Sequence, residues 1–149
     1  MLMRGFQKVS RVAEDATIRL PERSTAGSAG YDFFMPEEMT IRAGGSATVR
    51  TGIKAYMMQD EALFIYPRSS LGIKKGLMLK NTVGVIDSDY HDNPDNEGEI
   101  LVALQNMSEN DVVLERGSKF VQGIFKKVLL VEDDSQEASR EGGIGSTGS

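Results

Sequence analysis

Residues 84–99 read GVIDSDYHDNPDNEGE, in which an apolar run ends in two aspartates and a tyrosine and then gives way to a polar loop. The runs LMLKNTVGVI at 77–86 and EILVALQN at 99–106 lie on either side of that loop. Both runs are rich in branched apolar residues, and the loop between them contains the Asn, Pro, Asp and Gly residues that are typical of turns. We therefore predict a hairpin whose tip carries Asp87 and Tyr90.

The rest of the chain also has the pattern of short strands separated by glycine-containing turns. Runs of β-branched and aromatic residues predict further strands in TIRL (17–20), in TIRAGG and SATVRTGIKAYM (within 40–58), in ALFIYP (62–67) and in VVLERGSKFVQGIFKKVLLV (112–131, bent at 116–118). Only RSSLGIKKG at 68–76 predicts a short helical turn. With 16 glycines in 149 residues, the pattern predicts an all-β protein, namely an antiparallel sandwich, jelly roll or barrel.

The composition is ordinary for a single globular domain, with 40% hydrophobic and 26% charged residues. The net charge of −5 argues against a nucleic-acid-binding protein, because neutralising phosphates requires a basic face. No apolar stretch approaches the roughly 18 residues of a membrane span, and the first ten residues lack the apolar core of a signal peptide. The absence of cysteine excludes disulfides and thiolate metal sites. We expect a cytoplasmic protein that binds neither nucleic acid nor membrane.

The composition changes after residue 131, where EDDSQEASREGGIGSTGS is first acidic and then rich in Gly and Ser. We therefore predict a β domain over residues 1–131 and a flexible tail over residues 132–149. Arg140 lies two residues before a glycine cluster with two hydroxyl residues. Backbone amides and side chains of this kind are also assembled around phosphate groups.

Several other segments have both an ordinary and a functional interpretation. Arg68 and the two serines of PRSSLG (67–72) indicate either a helix cap or an anion-binding site at the start of a helical turn. Asp87 and Asp89 indicate either an acidic turn or a partner for water or a hydrated Mg²⁺ ion, which prefers oxygen ligands. His91, the single histidine, is predicted to be an exposed loop residue.

Five segments, taken in their order along the chain, resemble the five motifs of the trimeric dUTP nucleotidohydrolases (dUTPases). AGSAGYD at 26–32 is similar to the first motif, PRSS at 67–70 to the second, GVIDSDY at 84–90 to the third, GSKFVQ at 117–122 to the fourth and REGGIGSTG at 140–148 to the fifth. The resemblance covers residues 26–148. It implies a β jelly roll, a homotrimer with active sites at the subunit interfaces, and hydrolysis of dUTP to dUMP and pyrophosphate with Mg²⁺ on the triphosphate. Such an enzyme supplies dUMP and limits uracil incorporation into DNA.

The resemblance also implies roles for individual residues. Asp87 would hold and activate the water that attacks the α-phosphorus, and Tyr90 would lie beneath the deoxyribose and leave no room for a 2′-hydroxyl. Asp32 would meet the water shell of Mg²⁺. The remaining implied substrate contacts are Asn81 and Val85 at the uracil, Arg68, Ser69, Ser70 and Gln122 at the phosphates, and Arg140, Ile144, Gly145, Ser146 and Thr147 in the closing tail.

Two features depart from the family pattern. Ile144 stands where the family usually has Phe or Tyr, and aromatic stacking on a base is worth about 1–3 kcal/mol, so we expect weaker closure over the uracil. Residues 91–97 stand where the family usually has one residue. Because Asn93-Pro94-Asp95-Asn96 is strong turn chemistry, we interpret this insertion as a harmless surface excursion. The alternative is that the loop reaches the substrate or a partner protein.

Two other functions stay open at this point. Deoxycytidine triphosphate deaminases share the jelly roll and the trimer, although Tyr90 and the GGIGSTG tail favour a dUTPase. A dUTPase-like scaffold could also regulate a protein partner through the 91–97 insertion, and that role is compatible with an active enzyme.

Overall fold

The structure is a computed structural model that describes residues 3–134, 136 and 139–148. Eleven short strands occur in this described part of the chain: β1 (Gly5–Lys8), β2 (Tyr31–Phe34), β3 (Met39–Ile41), β4 (Ser46–Arg50), β5 (Ile53–Tyr56), β6 (Glu61–Pro67), β7 (Leu77–Leu79), β8 (Gly84–Asp87), β9 (Leu101–Asn106), β10 (Val112–Leu114) and β11 (Lys119–Lys127). Short helical turns lie at Ser10–Val12, Ser70–Lys74 and Ser88–Tyr90. Among the described residues, no helix is both long enough and apolar enough to cross a membrane.

The strands pair in an antiparallel manner. A four-stranded sheet has the order β2-β11-β6-β8, and a three-stranded sheet has the order β4-β9-β7. The strands β1 and β5, and likewise β3 and β10, form two-stranded pairs. Neighbours in each sheet are mostly distant in sequence, as in a jelly roll, and the predicted all-β, jelly-roll-like fold is confirmed.

The core lies between the two larger sheets. Phe33, Leu63 and Val121 come from the four-stranded sheet, and Val49 and Leu104 come from the three-stranded sheet. All five side chains are at most 1% exposed, and burying an apolar side chain of this size contributes about 1.5–3 kcal/mol. This packing makes the two sheets a rigid support for the loops at their ends.

The predicted hairpin around the 84–99 loop is wrong in its pairing. The strand β7 pairs with β9 as expected, but β8 pairs with β6 in the other sheet. The chain changes sheet at residues 80–83, where Thr82 has a φ of 64° and donates its amide to the Leu79 carbonyl. A tight turn therefore interrupts what the apolar pattern presents as one strand, and a cavity opens between the two arms.

Other strand predictions hold only in part. TIRL at 17–20 is not a strand, because Asp15 accepts hydrogen bonds from the amide and hydroxyl of Thr17 and folds this segment into a local turn. Residues 128–131 do not continue β11. The strand β1 was not predicted. The helical turn in the 68–76 segment is confirmed.

Candidate active site

The third motif lies on β8 and the helical turn that follows it. Along β8 the side chains alternate between partly buried and exposed, and Asp87 at the end of the strand has a side chain that is 56% exposed. Tyr90, three residues later, is buried. The strand end followed by a short turn therefore presents a carboxylate to solvent directly beside a buried ring.

Tyr90 is fixed at both ends of its side chain. Its hydroxyl donates to the Glu99 carbonyl at 2.8 Å and accepts from Asn96 Nδ2 at 2.9 Å. Its backbone carbonyl accepts from Asn93 Nδ2 at 2.8 Å. Burial raises the pKa of the Tyr90 hydroxyl, and the hydrogen bond from Asn96 offsets only part of that rise. The hydroxyl is therefore neutral at physiological pH and acts as a structural group.

Many of the predicted site residues line one cavity of about 270 Å³. From the third motif and the turn before it these are Asn81, Val85, Asp87 and Tyr90, and from the tail they are Arg140, Ile144, Gly145 and Thr147. Apolar residues of both larger sheets, including Ile65 and Val102, form its inner wall. The cavity has the mixed apolar and polar lining that suits a flat base with a charged substituent.

Arg140 connects the tail to the third motif. Its Nη2 donates to Asp87 Oδ2 at 2.7 Å and its Nε donates to Asp89 Oδ1 at 2.9 Å. The Arg140 side chain is only 8% exposed. Its Nη1 also contacts the Gly143 carbonyl at 3.3 Å and Ser146 Oγ at 3.5 Å. The guanidinium thus orders the glycine-rich tail around itself, on the same chain that carries Asp87.

Five other predicted site residues line a second, more open cavity of about 500 Å³, whereas Ser146 lines neither cavity. They are Asp32 from the first motif, Arg68, Ser69 and Ser70 from the second, and Gln122 from the fourth. Gln122 and Asp32 face each other across the β2–β11 pair. Gly30 lies against Gln122, because a Cβ at residue 30 would lie 2.3 Å from Gln122 Oε1 and the Gln122 amide would have to move. One chain therefore divides the predicted site between two cavities.

Asp32 does not stand free for a metal ion. It is buried, it accepts from Ser24 Oγ at 2.7 Å, and its two carboxylate oxygens face Arg68 Nε at 3.1 Å and Lys119 Nζ at 3.6 Å. Within the described residues there is no cluster of three or more groups that could hold a metal. Because Arg68 and Lys119 already neutralise this carboxylate, Asp32 would meet a metal ion only through water, and the ion would need other oxygen ligands.

Two local expectations need correction. Ser69 stands at the start of the helical turn, but its side chain makes no capping hydrogen bond to the described residues. His91 is not a free surface residue, since its Nε2 lies 2.8 Å from Gln7 Oε1 and its ring packs edge-on against Tyr56. Burial lowers the pKa of His91, so this side chain is a neutral packing residue at pH 7.

The 91–97 insertion packs more closely against the domain than a surface excursion would, and whether it is harmless to function stays a prediction. Asn93 is buried, and Asn96 reaches the Tyr90 hydroxyl. Asp95 accepts a hydrogen bond from the Gly143 amide at 3.3 Å. The loop therefore packs against both the third and the fifth motif. Sequence reasoning missed these residues because Asn and Asp are also the ordinary residues of turns.

A buried carboxylate, Glu99, supports the end of this loop and was also missed. It pairs with Arg11 and with Arg50, and it accepts from the Gly52 amide at 3.0 Å. Burial alone would raise the pKa of Glu99, but these hydrogen bonds outweigh it and hold the pKa below its usual range. Glu99 is thus a charged anchor beneath Tyr90.

Arg140 at one cavity, and Arg68 with two hydroxyl residues at the other, are groups suited to binding an anion such as phosphate. Residues 16–148 match the dUTPase family model. The deoxyuridine 5′-triphosphate nucleotidohydrolase of Lactococcus lactis subsp. lactis is 45% identical over 150 residues, which cover 99% of this chain and 99% of the relative. The chain belongs to the dUTPase family.

Solved structures agree with this assignment. The dUTPase from Streptococcus mutans has a TM-score of 0.79 and 47% identity, covering 86% of this chain and 98% of its own. A mutant dUTPase from phage phi11 of S. aureus, which coordinates a structural Mg(II) ion, has a TM-score of 0.73 over 92% of this chain and 98% of its own. At 18% identity, that likeness shows the fold alone. The relatives from Lactococcus lactis and Streptococcus mutans favour a dUTP nucleotidohydrolase over the deaminase alternative.

Proposed function

We propose that this protein hydrolyses dUTP to dUMP and pyrophosphate, with Asp87 holding the attacking water. Family membership over nearly the whole chain gives the hydrolase class. The observation that carries the assignment of residues is the cavity that Asp87, Tyr90 and the tail line together. The roles below follow from that cavity and from the chemistry of each side chain.

Asp87 has the exposure and the position that a water-binding carboxylate needs. Its side chain is 56% exposed at the end of a rigid strand. In the proposed reaction the water oxygen bonds to the α-phosphorus, the bond from that phosphorus to the bridging oxygen breaks, and pyrophosphate leaves. The water proton passes to the Asp87 carboxylate, which acts as the general base.

Tyr90 and Asn81 are proposed to select the nucleoside. The buried Tyr90 ring forms a fixed wall of the cavity. If the deoxyribose packs directly against this ring, no space is left for a 2′-hydroxyl, and a ribonucleotide is excluded by steric contact. Asn81 and the backbone near Val85 offer donors and acceptors for a uracil edge. Cytosine would leave some of these groups unpaired, which discriminates strongly against it.

Arg140 and Arg68 are proposed to bind the phosphates. Arg140 is paired with two carboxylates in this structure, so it must exchange Asp87 and Asp89 for phosphate oxygens when the nucleotide binds. Arg68 lies beside Ser69 and Ser70 in the second cavity, a combination suited to phosphate. Mg²⁺, carried in on the triphosphate with Asp32 near its water shell, would offset charge on the phosphate oxygens.

We propose a homotrimer in which two subunits complete each active site. The division of the predicted residues between two cavities of one chain supports this arrangement, because each cavity holds only some of the motifs. Leu129, Leu130 and Val131 also form an exposed apolar run, which contact with a second copy of the chain would bury. Light scattering coupled to gel filtration should give three times the 16.3 kDa chain mass. The cytoplasmic location stays a prediction.

The activity is tested with purified protein, Mg²⁺ and dUTP, dCTP, dTTP or UTP in H₂¹⁸O. We expect pyrophosphate from dUTP in large excess over the other nucleotides, with ¹⁸O in dUMP. Ammonia release from dCTP would indicate a deaminase instead. Label in pyrophosphate would show attack at the β-phosphorus and would contradict the proposed step.

A further inference from the structure

The inserted loop, residues 91–97, has one well-defined conformation built around Asn93. The Asn93 side-chain oxygen accepts from the amides of Asp95 at 3.0 Å and Asn96 at 3.1 Å. Its Nδ2 donates to the Tyr90 carbonyl at 2.8 Å and to Asn96 Oδ1 at 2.8 Å. Asn93 is 5% exposed, and a buried polar side chain that is fully hydrogen-bonded specifies a single local structure.

Hydrogen bonds at the base of the loop hold it against the β domain. Lys54 Nζ donates to both Asp92, at 2.5 Å, and Glu97, at 2.8 Å. Glu97 also accepts from the amide and hydroxyl of Ser10. The hydrogen bond with Lys54 holds the pKa of Glu97 below its usual range, so these contacts are present at neutral pH. Lys54 and Ser10 of the β domain therefore hold the two ends of the loop in place.

The orientation of the Asn96 amide is determined by its partners. Its Oδ1 accepts from two donors, the Gly98 amide at 3.0 Å and Asn93 Nδ2. The atom that faces the Tyr90 hydroxyl at 2.9 Å must then be the Nδ2 donor. The Tyr90 hydroxyl in turn gives its proton to the Glu99 carbonyl, which has no proton to donate. Asn96 and Glu99 together fix the position of the Tyr90 ring.

The opposite face of the loop contacts the tail. Asp95 Oδ2 accepts from the Gly143 amide at 3.3 Å. A Cβ at Gly143 would lie 2.8 Å from Asn96 Nδ2 and 3.1 Å from Asp95 Oδ2. Because Asn96 is held by its own hydrogen bonds, it cannot move away at small cost. The tail therefore seats on the loop only if residue 143 is glycine.

We infer that Asn96 is a positioning residue that sets the sugar-selecting ring of Tyr90, and that Asp95 and Asn96 form the seat on which the tail closes. This inference rests on the proposed function and deepens it, because it assigns the inserted loop to sugar selection at the same site. The loop acts through Tyr90 and Gly143, and it acts as a support for the substrate-contacting groups.

Asn96→Asp tests the inference by replacing the amide with a carboxylate of nearly the same size. The new carboxylate keeps the acceptor for the Gly98 amide, but it cannot donate to Tyr90, whose single proton then faces two acceptors. We expect the ratio of kcat/KM for dUTP to that for UTP to fall about 3- to 10-fold, as for one lost hydrogen bond. Asp92→Asn is the matched control, because Asp92 lies on the same loop but contacts Lys54 and not Tyr90.

A double-mutant cycle with Tyr90→Phe separates this role from general loosening of the loop. Without the hydroxyl, Asn96→Asp should have no further effect on the dUTP/UTP ratio. Asp95→Ala, which leaves Tyr90 untouched, should raise the KM for dUTP with little change in Tm, and it tests the seat if the Asn96 variant does not fold.

The outcomes are distinct. The inference is overturned if Asn96→Asp leaves the dUTP/UTP ratio unchanged, or if Asp92→Asn lowers that ratio equally. It is also overturned if Asn96→Asp keeps its full effect in the Tyr90→Phe background, or if Asp95→Ala leaves the KM for dUTP unchanged. Each of these results leaves the proposed hydrolase intact. Wild-type protein that leaves dUTP unhydrolysed contradicts the proposed function and, with it, this inference.

Discussion

Arg140 of the tail forms an ion pair with Asp87 of the third motif, with Nη2 and Oδ2 separated by 2.7 Å. The same guanidinium bonds Asp89 through Nε. A residue proposed to bind phosphate therefore contacts the carboxylate proposed to bind water. The tail lies on the site in a closed position, and the incoming triphosphate has to displace two carboxylates from Arg140.

Replacing Arg140 by Lys should lower kcat/KM for dUTP by about 10- to 100-fold, as for the loss of a hydrogen bond to a charged group. A lysine ammonium keeps the charge but cannot span two oxygens with the fixed fork of a guanidinium. Steady-state kinetics measure the effect, with exposed Arg42→Lys as the control. Equal kinetics for Arg140→Lys and wild type would mean that the fork does not bind phosphate.

Replacing Ile144 by Phe should tighten binding of a non-hydrolysable dUTP analogue. Ile144 is 73% exposed and borders the cavity, so a ring there has space to stack on the base. Stacking is worth at least about 1 kcal/mol, which corresponds to about a fivefold lower Kd by calorimetry. Val113→Phe, an exposed site on β10, controls for added surface apolarity. An unchanged Kd for Ile144→Phe argues against tail closure over the base.

Replacing Gly143 by Ala should weaken tail closure, because the new Cβ would overlap Asn96 Nδ2 and Asp95 Oδ2. We expect a rise of about 3- to 10-fold in the KM for dUTP, as for the loss of one hydrogen bond, with an unchanged Tm. The exposed tail residue Glu141→Ala is the control. If Gly143→Ala binds dUTP like wild type, the tail does not seat on the inserted loop.

Glu99 should make the protein sensitive to acid. Its pKa is held below its usual range in the folded protein, whereas a glutamate in the unfolded chain has a pKa of about 4.3. The unfolded chain binds the proton first, so the stabilisation is fully present above that pH and is lost as pH falls through the folded pKa.

Chemical unfolding between pH 3 and 7 measures this effect. Glu99→Gln should lower stability at pH 7 by about 1–3 kcal/mol, because Arg11 and Arg50 lose a charged partner. It should also flatten the dependence of the unfolding free energy on pH below about 4.3. A variant whose unfolding free energy falls as steeply with acid as that of wild type would exclude Glu99 as the source.

The class of the fold could be predicted from local pattern, and the pairing of strands could not. Runs such as ALFIYP at 62–67 show β-branched and aromatic residues between turn signals, and they are strands. The run 77–86 has the same appearance, yet Thr82 adopts a left-handed conformation that sends its two halves to different sheets. Such a change depends on tertiary contacts and leaves no apolar signature.

The residues proposed to contact the substrate could be predicted from the sequence, whereas the residues that position them could not. Motif resemblance selected Asp87, Tyr90 and Arg140, and the structure places them at one cavity. It did not select Asn96, because its effect on Tyr90 depends on where an amide points in space. The division of the motifs between two cavities is also a tertiary property, since the motifs follow one another along the chain without any sign of it.

The most direct test of the central claim is the single-turnover rate of dUTP hydrolysis by Asp87→Asn. Asparagine keeps the size and hydrogen-bonding reach of aspartate but cannot take a proton, so we predict a rate lower by about 10²- to 10⁴-fold, with an unchanged Tm and nucleotide still bound. Asp60→Asn, at an exposed carboxylate paired with Lys127, should match wild type. An Asp87→Asn rate within about twofold of wild type would contradict the account.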